Sequence, residues 1–173
     1  MHLRAIAAVV VLASCNMSLY GEETGPISHA LNTELRDKKV NTINLKSLTP
    51  FEWDELVLFA PYEGPKEICP QLALNEEECR NKITVASNAD EEMVMVFRES
   101  GKIVHVERHN RFHGDFIPQK EMQKISAASA MFAVSQRGKS GKGDPWLVLT
   151  PIGANPPPNI SLQGTLRLSA ARP

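Results

Sequence analysis

Met93-Val-Met-Val-Phe97 and Ile103-Val-His-Val106, lying on either side of Ser100-Gly101, decide how this chain folds. Two strand-length apolar runs rich in β-branched residues, joined through a glycine that accepts positive φ without steric cost, read as a β-hairpin. Working outward from it, Glu55-Leu-Val-Leu-Phe-Ala60 is apolar at successive positions and so on both faces, as a central strand must be. Asn41 to Lys46 alternates polar and apolar, as a half-buried strand does, and Ile83-Thr-Val-Ala86 is a further short strand. Asp115-Phe-Ile-Pro118 should end the pairing, because proline has no N–H to give to a ladder.

The flanks are less uniform. Gly25-Pro26 opens a short amphipathic helix to about Lys39, with Ile27, Leu31 and Leu35 at i, i+4, i+8 and Glu34 four residues before Lys38. Thr49-Pro50-Phe51-Glu52 has capping-box spacing and implies a brief helical turn. Residues 121–134 fit two readings. Met122, Ile125, Ser129 and Phe132 suit a helix, whereas Ala130-Met-Phe-Ala-Val134 can pair with Trp146-Leu-Val-Leu149 across the Gly138–Gly143 loop, and a strand from about Ala128 is the reading adopted. Pro151 to Asn159 reads as a proline-rich loop and Leu162 to Leu168 as a last strand.

Location is written at the other end of the chain. Arg4 is the only formal charge before Glu22, and Ala5 to Ala13 is unbroken apolar sequence. Nine helical residues span roughly 14 Å, about half of a ~30 Å hydrocarbon core, so the run is a signal-peptide core and not a membrane span. It closes on Leu12-Ala13-Ser14-Cys15, which resembles the bacterial lipobox read by the lipoprotein signal peptidase. The resemblance implies cleavage before Cys15, a diacylglycerol on its sulfur and usually an acylated amino group, with two or more chains anchoring stably. Asn16 stands where an aspartate would favour the inner membrane, so the expected address is the outer membrane, facing the periplasm. The resulting organisation is a signal peptide over 1–14, a lipidated tether over 15–25 and a single domain over 26–173. Membrane contact is expected through the lipid on Cys15 only.

Three cysteines in an exported chain become an even pair once Cys15 carries lipid. Cys69 and Cys79 are then expected to form a disulfide closing a loop of about ten residues, a contribution of ~2–3 kcal/mol on chain entropy. The bridged stretch also carries Glu76-Glu77-Glu78 and reads as one or two short helical turns with an acidic exposed face. The fold class is therefore α+β: one antiparallel sheet of about five or six strands, an N-terminal helix and a short disulfide-stapled helical segment.

Phe51-Glu-Trp53-Asp54-Glu-Leu56-Val-Leu-Phe59-Ala-Pro61-Tyr62 resembles a pattern, Trp-Asp-x-Leu-x-x-Phe-x-Pro-Tyr, of small and mostly uncharacterised Gram-negative lipoproteins. That family offers no catalytic residues to carry over. On physical grounds Trp53, Phe59 and Tyr62 read as core and turn anchors.

Chemistry-bearing motifs are few. His105, His109 and His113 recur every four residues beside Glu107 and Asp115, but on a strand His105 and His109 stand about 13 Å apart and one ion cannot bridge them. His105, Glu107 and His109 are expected on an exposed polar hairpin face, alternating with Val104 and Val106, and no metal is assigned. Gly138-Lys-Ser-Gly-Lys-Gly143 invites a phosphate-loop reading, yet Ala133 stands where a Walker motif needs glycine. No Gly-x-Ser-x-Gly or activated cysteine is present, and nothing calls for a cofactor.

Net charge is −1, but residues 16–92 hold fifteen acids and seven bases, and residues 93–173 five acids and eleven bases. Such polarity steers a charged partner. No basic run has the density that nucleic acid requires. The expectation is a protein partner, with Glu76, Glu77, Glu78 and the basic loop of Arg137, Lys139 and Lys142 as contact residues. An immunity-type inhibitor of a periplasm-acting toxin, such as a phospholipase or cell-wall hydrolase, fits this profile, as does an accessory lipoprotein of envelope or secretion-system assembly. An unrecognised envelope hydrolase is the third class.

Overall fold

The structure, a computed structural model, describes residues 24–117 and 122–153. The lipobox, most of the tether, the strand expected at Leu162–Leu168 and the proline-rich loop beyond residue 153 lie outside the described residues. In chain order the elements are α1 (Pro26–Asn32), β1 (Thr42–Asn44), β2 (Glu55–Phe59), α2 (Pro65–Gln71), α3 (Glu76–Lys82), β3 (Glu92–Glu99), β4 (Lys102–Asn110), β5 (Asp115–Phe116), β6 (Met122–Ser126), β7 (Met131–Lys139) and β8 (Pro145–Pro151). The fold is α+β, and its eight described strands form two four-stranded sheets where one sheet was expected: β4-β3-β2-β6 and β1-β7-β8-β5.

The β3–β4 hairpin forms as read. Ser100 and Gly101 both have positive φ, 49° and 79°, the signature of the tight turn whose twist matches the strands it joins. The Asp54 carboxylate steadies it by accepting from the Ser100 N–H at 2.8 Å. β2 is central, paired with β3 on one side and β6 on the other. Its two apolar faces feed two cores. Leu56, Leu58, Met93, Met95 and Phe97 face α1 and the second sheet, where Phe116, Phe132 and Leu149 meet them. Val57, Phe59, Val94 and Val96 face Ile68 and Cys69 of α2 and Leu72 at its C-cap, with Ile83 beside them. The molecule is thus layered: α2–α3, then the β4-β3-β2-β6 sheet, then α1 with the second sheet. Cys69 and Cys79 are bonded, Cα atoms 5.6 Å apart, and tie α2 to α3.

α1 buries Ile27 and Leu31, and a π-helical turn over Thr33–Asp37 extends it to bury Leu35. Lys38 donates to Glu34 at 2.6 Å. Elsewhere the structure corrects the sequence reading. The helical turn expected at Thr49–Glu52 falls earlier, over Leu45–Leu48, because the Asn44 side chain accepts from the Lys46 N–H and closes it. The Thr49 hydroxyl is taken instead by the Trp53 indole N–H, at 2.9 Å. Ile83–Ala86 forms no strand. Its Ala86 O accepts from the Arg108 side chain at 2.9 Å.

Asp115–Phe116 does not end the pairing but forms β5, which pairs in parallel with β8. Residues 122–126 form β6, and β7 begins at Met131 instead of Ala128. Trp53 and Phe59 are core residues as read, whereas Tyr62 is 61% exposed in its turn, at φ 67°. No helix among the described residues is long and apolar enough to cross a membrane.

Candidate functional site

The histidine-bearing face of β4 is the largest reversal. Glu107 and His109 are buried, at 3% and 0% exposure, while Val104 is exposed. The cause is α1, which lands on that face. The first N–H groups of any helix lack intrahelical partners. Here the Glu107 carboxylate accepts from the N–H of Ile27 at 3.1 Å and of Ser28 at 2.8 Å, and His105 Nε2 lies 2.8 Å from it. Only glycine fits before this helix, since a Cβ on Gly25 would stand 2.3 Å from Glu107 Cβ.

Behind this cap Ser28 meets two histidines. Its Oγ is 2.9 Å from His109 Nδ1 and 2.9 Å from His113 Nδ1, and it accepts from the Asn110 N–H at 3.1 Å. His109 Nε2 lies 2.7 Å from the Gly114 carbonyl, which can only accept, so that nitrogen carries the proton. Burial pushes His109 down from 6.5 to about 4, so at neutral pH its Nδ1 is an acceptor and takes the Ser28 proton. The remaining Ser28 lone pair accepts from His113 Nδ1–H. His113 is also lowered, by burial first and then by His29 and Arg36. Ser28, His109 and Glu107 are of nucleophile, base and acid type. Ser28 is nonetheless completely buried with every hydrogen-bonding position filled, so this cluster fastens α1 and admits no substrate.

An accessible groove lies at the other end of α1. Where the helix runs into its π turn it faces the β7–β8 hairpin, and half-buried Arg36 bridges the gap. Its Nη2 donates to the carbonyls of Phe112, at 2.7 Å, and Pro145, at 3.3 Å. A concavity opens on each side. One, of about 420 Å³, is lined by Arg36, Asn110, Phe112, His113, Lys142 and Asp144. The other, of about 390 Å³, has Lys39 at its rim and Leu35, Val40, Val134 and Leu147 among its walls. Both fall in the range of small-ligand sites. The wall behind them is braced. Phe112 packs edge-on to Trp146 at 4.8 Å, Arg111 lies 5.4 Å over the Trp146 ring, and Asp115 accepts from both Arg111 and the Trp146 indole.

Of the residues singled out in the sequence, Lys142 lines this groove, while Arg137 and Lys139 sit exposed on the same hairpin, at the end of β7. The Gly138–Gly143 segment is a hairpin turn, with Ser140 N donating to Asp144 O and Gly143 N to Ser140 O. Glu76, Glu77 and Glu78 form the first turn of α3. They belong to the opposite outer layer, so the acidic and basic candidates are not brought together. Glu78 accepts from the Asn75 N–H at 3.1 Å as the helix cap, and Glu76 stands 4.0 Å from Arg80. Cys15 lies outside the described residues. Arg36, Lys39 and Phe112 escape the sequence reading as site residues, and His113 is read there only as one of the recurring histidines. For Arg36 and Lys39 the signal there is a cluster of bases closing the first amphipathic helix, and for Phe112 there is none. No protein family, no curated protein and no solved structure matches this chain.

Proposed function

We propose that this protein is an outer-membrane-anchored periplasmic lipoprotein that acts by binding another protein, its specific role being immunity-type inhibition of a periplasm-acting toxin such as a phospholipase or cell-wall hydrolase. Leu12-Ala13-Ser14-Cys15 supports the anchor and Asn16 the outer membrane. The observation that carries the binding role is the division of polar groups. Those of catalytic type, Ser28, His109 and Glu107, are sealed inside, whereas the open groove offers Arg36, Lys39 and Lys142 to an incoming surface.

The test is affinity capture from envelope and secreted fractions with the full chain carrying Cys15→Ser, which keeps the domain and removes the anchor. Recovery of a secreted hydrolase whose activity falls on stoichiometric addition of the protein is the expected outcome. Recovery of a β-barrel or secretion-machine component instead makes it an assembly factor. Substrate turnover by the purified chain alone makes it an enzyme and overturns the proposal.

A further inference from the structure

We propose that the groove between α1 and the β7–β8 hairpin is a carboxylate-binding site, and that it takes an acidic peptide segment in which an apolar residue neighbours an Asp or Glu. This deepens the protein-binding reading and rests on it only for the identity of the partner that supplies the segment.

Arg36 is the anchor of the site. A guanidinium has five N–H donors in a planar fork. The carbonyls of Phe112 and Pro145 occupy Nη2 and hold the plane, and among the described residues Nε and Nη1 have no hydrogen-bond partner and no carboxylate within 4.0 Å. A half-buried arginine fixed from one side, with donors left over, is prepared for a planar two-oxygen acceptor, which a carboxylate is. Lys39 and Lys142 flank it, and neither has a salt-bridge partner among the described residues. Among the described residues the only carboxylate lining either concavity is Asp144.

The second concavity supplies the other half of the specificity. Leu35, Val40, Val134 and Leu147 wall it, and Arg36 lines both concavities, so the guanidinium and the apolar surface are neighbours. A carboxylate on Arg36 thereby places a neighbouring aliphatic side chain against apolar surface. A membrane surface fits less well. Lipid headgroups call for a dense convex cationic patch, each base near the surface contributing ~1 kcal/mol. This site is concave, holds few bases and includes the acidic Asp144.

The experiment titrates the isotope-labelled full chain, as Cys15→Ser, with blocked peptides Leu-Asp-Glu-Leu and Leu-Asn-Gln-Leu, following backbone amide shifts. The acidic peptide should perturb amides around Arg36, Val134 and Lys142, and the amide peptide should bind about tenfold more weakly or not at all. Lys142→Glu, an exposed turn substitution that leaves the fold alone, should weaken the acidic peptide about tenfold. Arg36→Gln should abolish its binding. Equal binding of the two peptides overturns the proposal, as do shifts centred elsewhere. Displacement by equimolar inorganic phosphate makes the groove a general anion site and overturns the peptide assignment. Binding to phosphatidylglycerol-containing vesicles, lost in Lys142→Glu while the peptide fails to bind, makes it a membrane contact. The two proposals fail separately. A partner captured equally by Lys142→Glu removes the groove and keeps the binding role, whereas peptide binding with no partner recovered does the reverse.

Discussion

The two faces of the β4-β3-β2-β6 sheet are covered by equally short helices fastened in unlike ways. α1, α2 and α3 have seven residues each, well below the ~12–15 at which an isolated helix becomes marginally stable. On the inner face α1 is held by buried polar chemistry: Glu107 caps it from 80 residues away, and Ser28 locks to His109 and His113. On the outer face α3 contributes no buried residue at all, and a disulfide spanning ten residues holds it to α2. Each layer is therefore vulnerable to a different change. The inner one depends on protonation state and on a single carboxylate, the outer one on redox state.

The largest effect should come from Glu107→Ala. It strips two helix N–H groups of their acceptor, leaves His105 without its partner and opens a void, and breaking a buried charged network of this kind costs about 3–5 kcal/mol. Urea unfolding should report that loss. Glu107→Gln, which keeps one acceptor oxygen, should recover part of it. A change below about 1 kcal/mol in Glu107→Ala would mean α1 is held by apolar packing alone.

Acidification should attack the same face by a different route. His109 takes a proton near pH 4 in the folded protein but near 6.5 when unfolded. Between those values the unfolded chain binds more protons, so stability falls as pH drops from about 6.5 toward 4. His109 is completely buried, and the total loss is about 3 kcal/mol. Unfolding midpoints at pH 7, 5.5 and 4.5 measure it, and the comparison with His109→Gln separates this residue from the carboxylates and from His113, whose lowered value acts in the same direction. Parallel pH profiles for wild type and variant would exclude His109 as the acid-sensitive group.

What the sequence reveals of this architecture follows the range of the interactions. The hairpin is legible because its signal is local: two β runs and a Ser-Gly turn. α1 is legible from the four-residue spacing of Ile27, Leu31 and Leu35, and the disulfide from cysteine parity. β6 is not legible, because Met122–Ser126 becomes a strand only by pairing with Glu55–Phe59, far back in the chain. The inverted burial of β4 is hidden for a related reason. Glu107 and His109 are polar, and their burial is favourable because the N-terminus of α1, which β4 does not encode, supplies donors to both, the Gly114 carbonyl taking the remaining His109 proton. Arg36 likewise acquires its role by meeting Pro145, 109 residues later.

The smallest of these effects, and the one confined to the outer layer, is reduction of Cys69–Cys79. A loop of ten residues sets the chain-entropy contribution at about 2–3 kcal/mol. The loss should be local. Val57, Phe59, Val94 and Val96 form one face of strands whose other face stays packed in the inner core, so the sheet survives when its outer cover loosens. Hydrogen exchange on the reduced protein, or on Cys69→Ala/Cys79→Ala, should show amides of α2 and α3 losing protection while β3, β4 and α1 keep theirs. The acidic peptide should bind the groove with unchanged affinity, since the groove lies in the opposite layer. Uniform loss of protection across the sheet would show that the two faces unfold as one unit and that their separate fastenings carry no separate consequence. Full protection of α3 in the reduced protein would show instead that the cap formed by Asn75 and Glu78 suffices, with the acidic first turn stabilised by the helix dipole, and that the covalent bond is dispensable to the layer it joins.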